Sequence, residues 1–190
     1  MSIQPKKFYT EAEYLELERA ANFKSEFYQG EIFAMSGASV QHTIVVTNIV
    51  ASLHQQLRKK PCTVHASDLR VRVEKNTLYT YPDIVVVCSD AKFRDEQKDT
   101  LTNPLLIVEV LSKSTEQYDR VKKFELYRGL DSLQEYILVS QNEFRVELFT
   151  KQNQQQWIFS EVTDKNGLLK IHSIDAVLSV EDIYEKIVFE

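Results

Sequence analysis

Two short apolar runs, each carrying one carboxylate, constrain this chain more than any other feature. The first opens Pro82-Asp83 and continues as Ile84-Val85-Val86-Val87-Cys88. The second is Leu105 to Leu111, interrupted only by Glu109. A polar interval, Ser89 to Asn103, separates them, and a charged segment, Glu116 to Arg128, follows. Runs this hydrophobic are buried strands, and a charge on such a strand is costly unless something compensates it. Alternation puts Ile107, Glu109 and Leu111 on one face and Leu106, Val108 and Val110 on the other. Pro82 is tolerated because the first position of a strand does not need its N–H. If the two strands are neighbours, Asp83 and Glu109 converge at one end of a sheet. Two carboxylates that close repel strongly unless a cation lies between them. Hard oxygen ligands with open positions suit Mg²⁺ or Mn²⁺, and such a site can polarise a phosphate and activate water.

The helical segment Glu116 to Arg128 supplies the cation that developing negative charge would need. At ~100° per residue, Lys123 shares a face with Leu126 and Tyr127, whereas Lys122 points toward Glu125 and solvent. Lys123 is therefore the inward lysine. Asp119, one turn earlier, is placed to hold it.

The remaining chain reads as a scaffold. Thr10 caps a short helix with Glu11 and Glu13 in its first turn. Glu26 to Met35 is a hairpin about a Gly turn. Ser39 to Arg58 is the longest helical pattern, with Ile44, Val45, Ile49, Leu53 and Leu57 on one stripe, and Pro61 ends it. Thr63 to Ala66 begins a strand region in which Leu69, Val71 and Val73 alternate with Arg70, Arg72 and Glu74, one face buried and one wet. Lys75-Asn76-Thr77 turns it into an antiparallel strand from Tyr79 to Cys88. Ser114 or Thr115 caps the charged helix, which ends at Gly129. Glu135 to Ser140, Phe144 to Thr150 and Gln156 to Val162 form a meander, and a helix from Val180 to Ile187 closes the chain. This order implies an α/β sandwich around a mixed central sheet flanked by helices, not a doubly wound parallel sheet.

At 190 residues and 43% apolar content, residues 1–190 fit a single domain with one core. With 4 Gly and 4 Pro, long linkers are not expected. The net charge of -5 gives no average signal for nucleic acid, so DNA would have to be held by a local patch. Cys62 and Cys88 form no CxxC pattern, and Cys88 reads as a small core hydrophobe in a reducing cytoplasm. Met1 to Thr10 lacks the apolar core of a signal peptide, and no apolar run approaches the ~20 residues that span a bilayer. The expected location is cytoplasmic, with no membrane partner.

Pro82-Asp83 followed by Glu109-Val110-Leu111 resembles the PD-(D/E)XK nuclease signature. Tyr81 to Val87, Pro104 to Ser112, Asp119 to Tyr127 and Glu135 to Val139 are similar to the Uma-two family of restriction-endonuclease-like proteins. The similarity extends back through Glu26 to Gly30, His42 and Ser67-Asp68. It implies a restriction-endonuclease-like fold, a Mg²⁺- or Mn²⁺-dependent endonuclease acting on DNA, and Asp83, Glu109 and Lys123 as its catalytic set, with Asp83 and Glu109 on the metal. One departure is informative: the slot two after Glu109, where the superfamily has lysine, holds Leu111. In the Uma-two pattern the lysine lies on the following helix, at the position of Lys123. The same resemblance makes Glu26 an additional acidic residue near the metal and His42 a further polar group in the cleft. Cutting both strands of a duplex implies a homodimer.

Blander roles stand beside these. Asp83 can cap a turn, Glu109 can pair with Lys123 or an arginine without metal, and Lys123 can be a solvated helix lysine. Glu26 can be an exposed hairpin glutamate and His42 a local hydrogen-bonding residue near a helix start. Asp68, with Arg70 and Arg72, is either a surface charge ladder or a phosphate-contacting strip. A non-catalytic nucleic-acid or protein-binding module of the same fold, or an assembly protein pairing the edges of its meander, are the rival functions.

Overall fold

The computed structural model describes residues 7–112 and 115–189. The start of the Met1 to Thr10 stretch and Ser114, one of the two expected caps, lie outside the described residues. Helix α1 (Glu11–Ala20) begins with a full capping box: the Glu13 backbone N–H donates to the Thr10 hydroxyl, and the Thr10 N–H to the Glu13 carboxylate. Strands β1 (Ser25–Tyr28) and β2 (Glu31–Ala34) form the expected hairpin. Its two turn residues, Gln29 and Gly30, both have positive φ, the conformation of a type I′ turn. A Cβ at Gly30 would also meet Phe8 at 2.9 Å.

Helix α2 (Val40–Leu57) is capped by Ser39, whose hydroxyl accepts from the His42 N–H at 3.1 Å. It buries Val45, Ile49, Leu53 and Leu57 at helical spacing. Strands β3 (Cys62–Ala66), β4 (Arg70–Val73), β5 (Leu78–Thr80), β6 (Ile84–Cys88), β7 (Thr100–Leu101) and β8 (Leu106–Leu111) follow. The expected continuous strand from Tyr79 to Cys88 is in fact two. Tyr81-Pro82-Asp83 breaks it, so β5 joins one sheet and β6 the other. Pro82 cannot donate to a ladder, and the chain crosses between sheets there.

The first sheet has five strands in the order β2-β1-β5-β4-β7. The second, in the order β11-β10-β9-β8-β6-β3, adds β9 (Glu135–Ser140), β10 (Val146–Lys151) and β11 (Trp157–Val162). It is mixed, because β8 and β9 run parallel and the other pairs antiparallel. After β8, residues Tyr118–Lys123 form a π-helical turn that continues as the α-helical turn α3 (Phe124–Tyr127). A hairpin of β12 (Leu168–Ile171) and β13 (Ala176–Ser179) precedes the one-turn helix α4 (Val180–Ile183). The sequence reading missed that hairpin and made the last helix too long.

One core lies between α2, the six-stranded sheet, the β12–β13 hairpin and α4, and contains Leu106, Val108 and Val110. A second lies between the two sheets and the helix after β8, and contains Ile107 and Leu111. The alternation read along β8 therefore holds. Along β4 Val71 and Val73 are buried as read, but the opposite face is not wet. Arg70 is buried, its Nε donating to Thr100 Oγ1 at 2.9 Å and its guanidinium lying 3.0 Å from Asp99, while Arg72 pairs with Glu11 at 2.9 Å. These arginines tie β4 to α1 and to the Ser89–Asn103 interval, so they form neither a surface ladder nor a phosphate strip.

The cysteine reading also needs correction. Cys62 and Cys88 face each other in the β3–β6 register and are joined as a disulfide. Spacing in sequence concealed this because antiparallel pairing brings the two strand ends together. No helix among the described residues is long and apolar enough to cross a membrane.

Candidate active site

The β6–β8 register builds the site. Ile84 pairs with Val108, so the residue before Ile84 lies opposite the residue after Val108. Those residues are Asp83 and Glu109, and the Asp83 N–H donates to Glu109 Oε2 at 3.2 Å. Asp83 Oδ2 accepts the Val110 N–H at 2.8 Å and lies 3.1 Å from His42 Nε2. Three segments thus fix one carboxylate: the end of β6, the middle of β8 and the first turn of α2.

Glu109 is almost fully buried, and its Oε1 accepts from Lys123 Nζ at 3.1 Å and from the Tyr127 hydroxyl at 2.7 Å. Burial, together with Asp83 and Asp119 nearby, raises its carboxyl to about 8, although Lys123 pulls the other way. Lys123 is buried as well. Its ammonium lies 3.1 Å from Glu109, 3.4 Å from Glu26 and 3.4 Å from Asp119. Burial disfavours the charged amine, but Glu109, Glu26 and Asp119 outweigh it and hold Lys123 well above the ordinary lysine value. Lys122 instead reaches Glu125 at 3.2 Å on the exposed side. Asp119 and Lys123 both belong to the π-helical turn, an irregularity frequent at functional sites.

Glu26, on β1, accepts from the Thr80 hydroxyl at 2.5 Å. His42 keeps its Nδ1 buried without a hydrogen-bond partner among the described residues. Asp83, Glu109, Lys123, Glu26 and His42 all line one cleft of ≈ 1090 Å³, together with Asp119. Asp68 is not brought to it. Its side chain is 89% exposed and pairs with Lys24 at 3.0 Å.

Three contributors escaped the sequence reading. Tyr127 was visible only as an apolar neighbour of Lys123, yet its hydroxyl holds Glu109. Thr80 gave no signal, being one residue of a short strand in the other sheet. The Val110 N–H is backbone, invisible to any residue pattern.

Could these side chains hold a divalent cation? Among the described residues no three or more His, Cys, Asp or Glu side chains are gathered closely enough to hold a metal ion. Among the described residues, carboxylates nevertheless outnumber lysines on the cleft wall. Glu26, Asp83, Glu109 and Asp119 share the cleft wall with Lys123, whose single ammonium is the cation three of them contact. Asp83 and Glu109 are adjacent at the wall, and Mg²⁺ commonly takes one or two carboxylates and fills its remaining positions with water and phosphate. Two adjacent carboxylates match that smaller donor set.

Comparison with known proteins gives a consistent picture. Residues 11–181 match the Uma2 (Uma-two) family, described as "Putative restriction endonuclease". Two proteins of Synechocystis sp. are similar over nearly their whole length. "Uncharacterized protein sll1609" is 38% identical over 167 residues, covering 88% of this chain and 94% of its own. "Uncharacterized protein slr1290" is 34% identical over 177 residues, covering 93% and 92%. The crystal structure of "a putative nuclease belonging to DUF820" from Anabaena variabilis superposes with a TM-score of 0.76 at 19% identity, covering 93% of this chain and 98% of that one. The restriction-endonuclease-like α/β fold is shared.

Proposed function

This chain belongs to the Uma2 family, and on that premise we propose that it is a metal-dependent nuclease hydrolysing phosphodiester bonds in DNA. The observation that carries this reading is the pairing of Asp83 with Glu109 across β6 and β8, in a cleft lined by four carboxylates, three of which contact one buried ammonium. Asp83 and Glu109 would hold Mg²⁺ or Mn²⁺. When bound, that ion supplies a Lewis acid for the phosphate and a more acidic water.

The chain's own groups account for the positioning. The Val110 N–H and His42 fix the rotamer of Asp83, and the Asp83 N–H and the Tyr127 hydroxyl fix Glu109. Lys123, held on Glu109, Glu26 and Asp119, places a permanent positive charge at the cleft wall, where it would orient the attacking water or stabilise charge on the phosphate. Hydrolysis adds the water oxygen to phosphorus, breaks the bridging P–O bond, and leaves a proton on the departing hydroxyl. A homodimer is the assembly by which such a chain would cut both strands of a duplex.

The experiment is a Mg²⁺ and Mn²⁺ titration with plasmid and single-stranded DNA, repeated in EDTA. Cleavage should require the cation and should vanish in Asp83→Ala and Glu109→Ala. Activity retained by either variant overturns the assignment. Binding without cleavage, insensitive to EDTA, would favour a non-catalytic module.

A further inference from the structure

The cleft displays more aromatic surface than its acidic groups require. Phe23, in the turn between α1 and β1, is 67% exposed; Phe33, on β2, is 47% exposed; and Tyr118, on the π-helical turn, is 38% exposed. All three line the same cleft as Asp83 and Glu109. They come from three separate elements, so no single amphipathic face explains them. Tyr118 lies beside the site itself, with Lys123 Nζ 5.9 Å from its ring centroid.

Cations are scarce there. Among the described lining residues the lysines are Lys24 and Lys123, and there is no arginine. Lys123 is committed to three carboxylates, and Lys24 donates to the Ser67 carbonyl at 2.8 Å and to Asp68 at 3.0 Å. A duplex presents one charge per ≈ 1.7 Å of axis and is gripped by rows of Lys and Arg. Among the described residues this cleft has no such row. A single strand carries less charge per unit length and can turn its bases outward onto aromatic side chains, the usual means of holding unpaired strands.

We propose that the cleft takes an unpaired polynucleotide strand, with bases stacked on Phe23, Phe33 and Tyr118 while the backbone passes Asp83 and Glu109. This rests on the nuclease reading and narrows its substrate to single-stranded nucleic acid, which a single copy of the chain can accommodate.

The test is fluorescence anisotropy with labelled oligothymidylate and oligouridylate of about twelve nucleotides, within the site sizes of single-strand binders, and a hairpin duplex of similar length, all in Ca²⁺. The single strands should bind at least tenfold more tightly than the duplex, and comparing the two separates DNA from RNA. Phe23→Ala and Phe33→Ala should each weaken single-strand binding by about fivefold or more, the lower end of what one stacked base contributes. Phe23→Tyr and Phe33→Tyr should retain it. As a second readout, Phe23→Trp should add a fluorescence signal, above that of Trp157, that oligothymidylate quenches.

Equal or tighter duplex binding, no binding of any strand, or alanine variants within twofold of the parent would overturn the proposal. So would aromatic variants that alter only self-association. Metal-dependent cleavage of duplex that ignores the aromatic variants would sink this inference and leave the nuclease reading intact. Aromatic-dependent single-strand binding without cleavage in any divalent cation would do the reverse.

Discussion

Replacing Lys123 with methionine keeps the apolar stem and removes the ammonium from its three carboxylates. At an effective dielectric of ~20, a unit charge pair at this range attracts by about 5 kcal/mol before desolvation is counted. Most of that gross attraction offsets the burial of the charges, so the measurable loss is better taken from buried pairs stripped of one partner, about 3–5 kcal/mol. For a chain of this size each kcal/mol moves Tm by roughly 2–4 °C, which predicts a fall of about 6–20 °C. Urea unfolding followed by circular dichroism at pH 7.5 and pH 5.5 measures it. The raised pKa of Glu109 sets the sign of the pH effect. Burial raises Glu109 already in the parent, so parent and variant both gain stability as pH falls from about 8 toward 4.5, and the deficit should be nearly the same at pH 7.5 and pH 5.5. Glu109→Gln in the same chain should recover part of the loss through a coupling of about 0.5–3 kcal/mol. Mg²⁺ should raise the midpoint of Lys123→Met more than that of the parent, because the carboxylates have lost their internal counterion. A loss below about 1 kcal/mol at both pH values, the range of solvated surface pairs, would refute the reasoning.

Tyr127→Phe removes one donor from Glu109 without changing the packing shape, and should cost about 1–3 kcal/mol in urea unfolding and lower the cleavage rate; unchanged stability and rate would count against the hydroxyl as a positioning group. Asp99 is held well below the ordinary aspartate value, chiefly by its hydrogen bond to Arg19, with Thr100 and Arg70 adding to it and burial opposing. Its contribution is therefore present above about pH 3.8 and is lost as pH falls toward its native value. The gap in urea midpoint between the parent and Asp99→Asn should narrow from pH 5 to pH 2, and a constant gap would contradict the pairing. The Cys62–Cys88 link spans 26 residues, so loop closure predicts a loss of up to about 3.5 kcal/mol on reduction or in Cys62→Ser. The bond lies at the far end of β3 and β6 from Asp83, so Tm should drop while cleavage by the remaining folded protein persists; an unchanged Tm in reductant would argue against the bond.

What the sequence disclosed follows from how each feature is encoded. Alternation on β8 and the 3.6-residue stripe on α2 are local patterns, and both were legible. The inward turn of Lys123 was legible too, because Leu126 and Tyr127 share its face. The break at Tyr81-Pro82-Asp83 was misread because a strand changing sheets looks, in one dimension, like a strand that continues. Arg70 was misread as wet because alternation assumes the other face meets solvent, and here Asp99, Thr100 and the Tyr81 hydroxyl meet it instead. The disulfide, the Tyr127 hydroxyl and the Val110 N–H depend on pairing between distant segments, which spacing cannot carry.

The fate of Leu111 shows why the site nonetheless survives as a unit. Leu111 lies on the same face of β8 as Glu109 but is enclosed in the inter-sheet core with Leu126, Tyr127 and Tyr136. An ammonium at that slot would be buried among apolar groups, at a cost several carboxylates would have to offset. Carried instead on the helix that follows β8, Lys123 reaches Glu109 and also meets Glu26 and Asp119. The ammonium that pairs with Glu109 is thus borne by the helix after β8 and not by β8 itself. The chemistry of such a cleft is therefore defined by where the ammonium ends, and a sequence pattern that fixes the lysine's slot on the strand would pass over this chain.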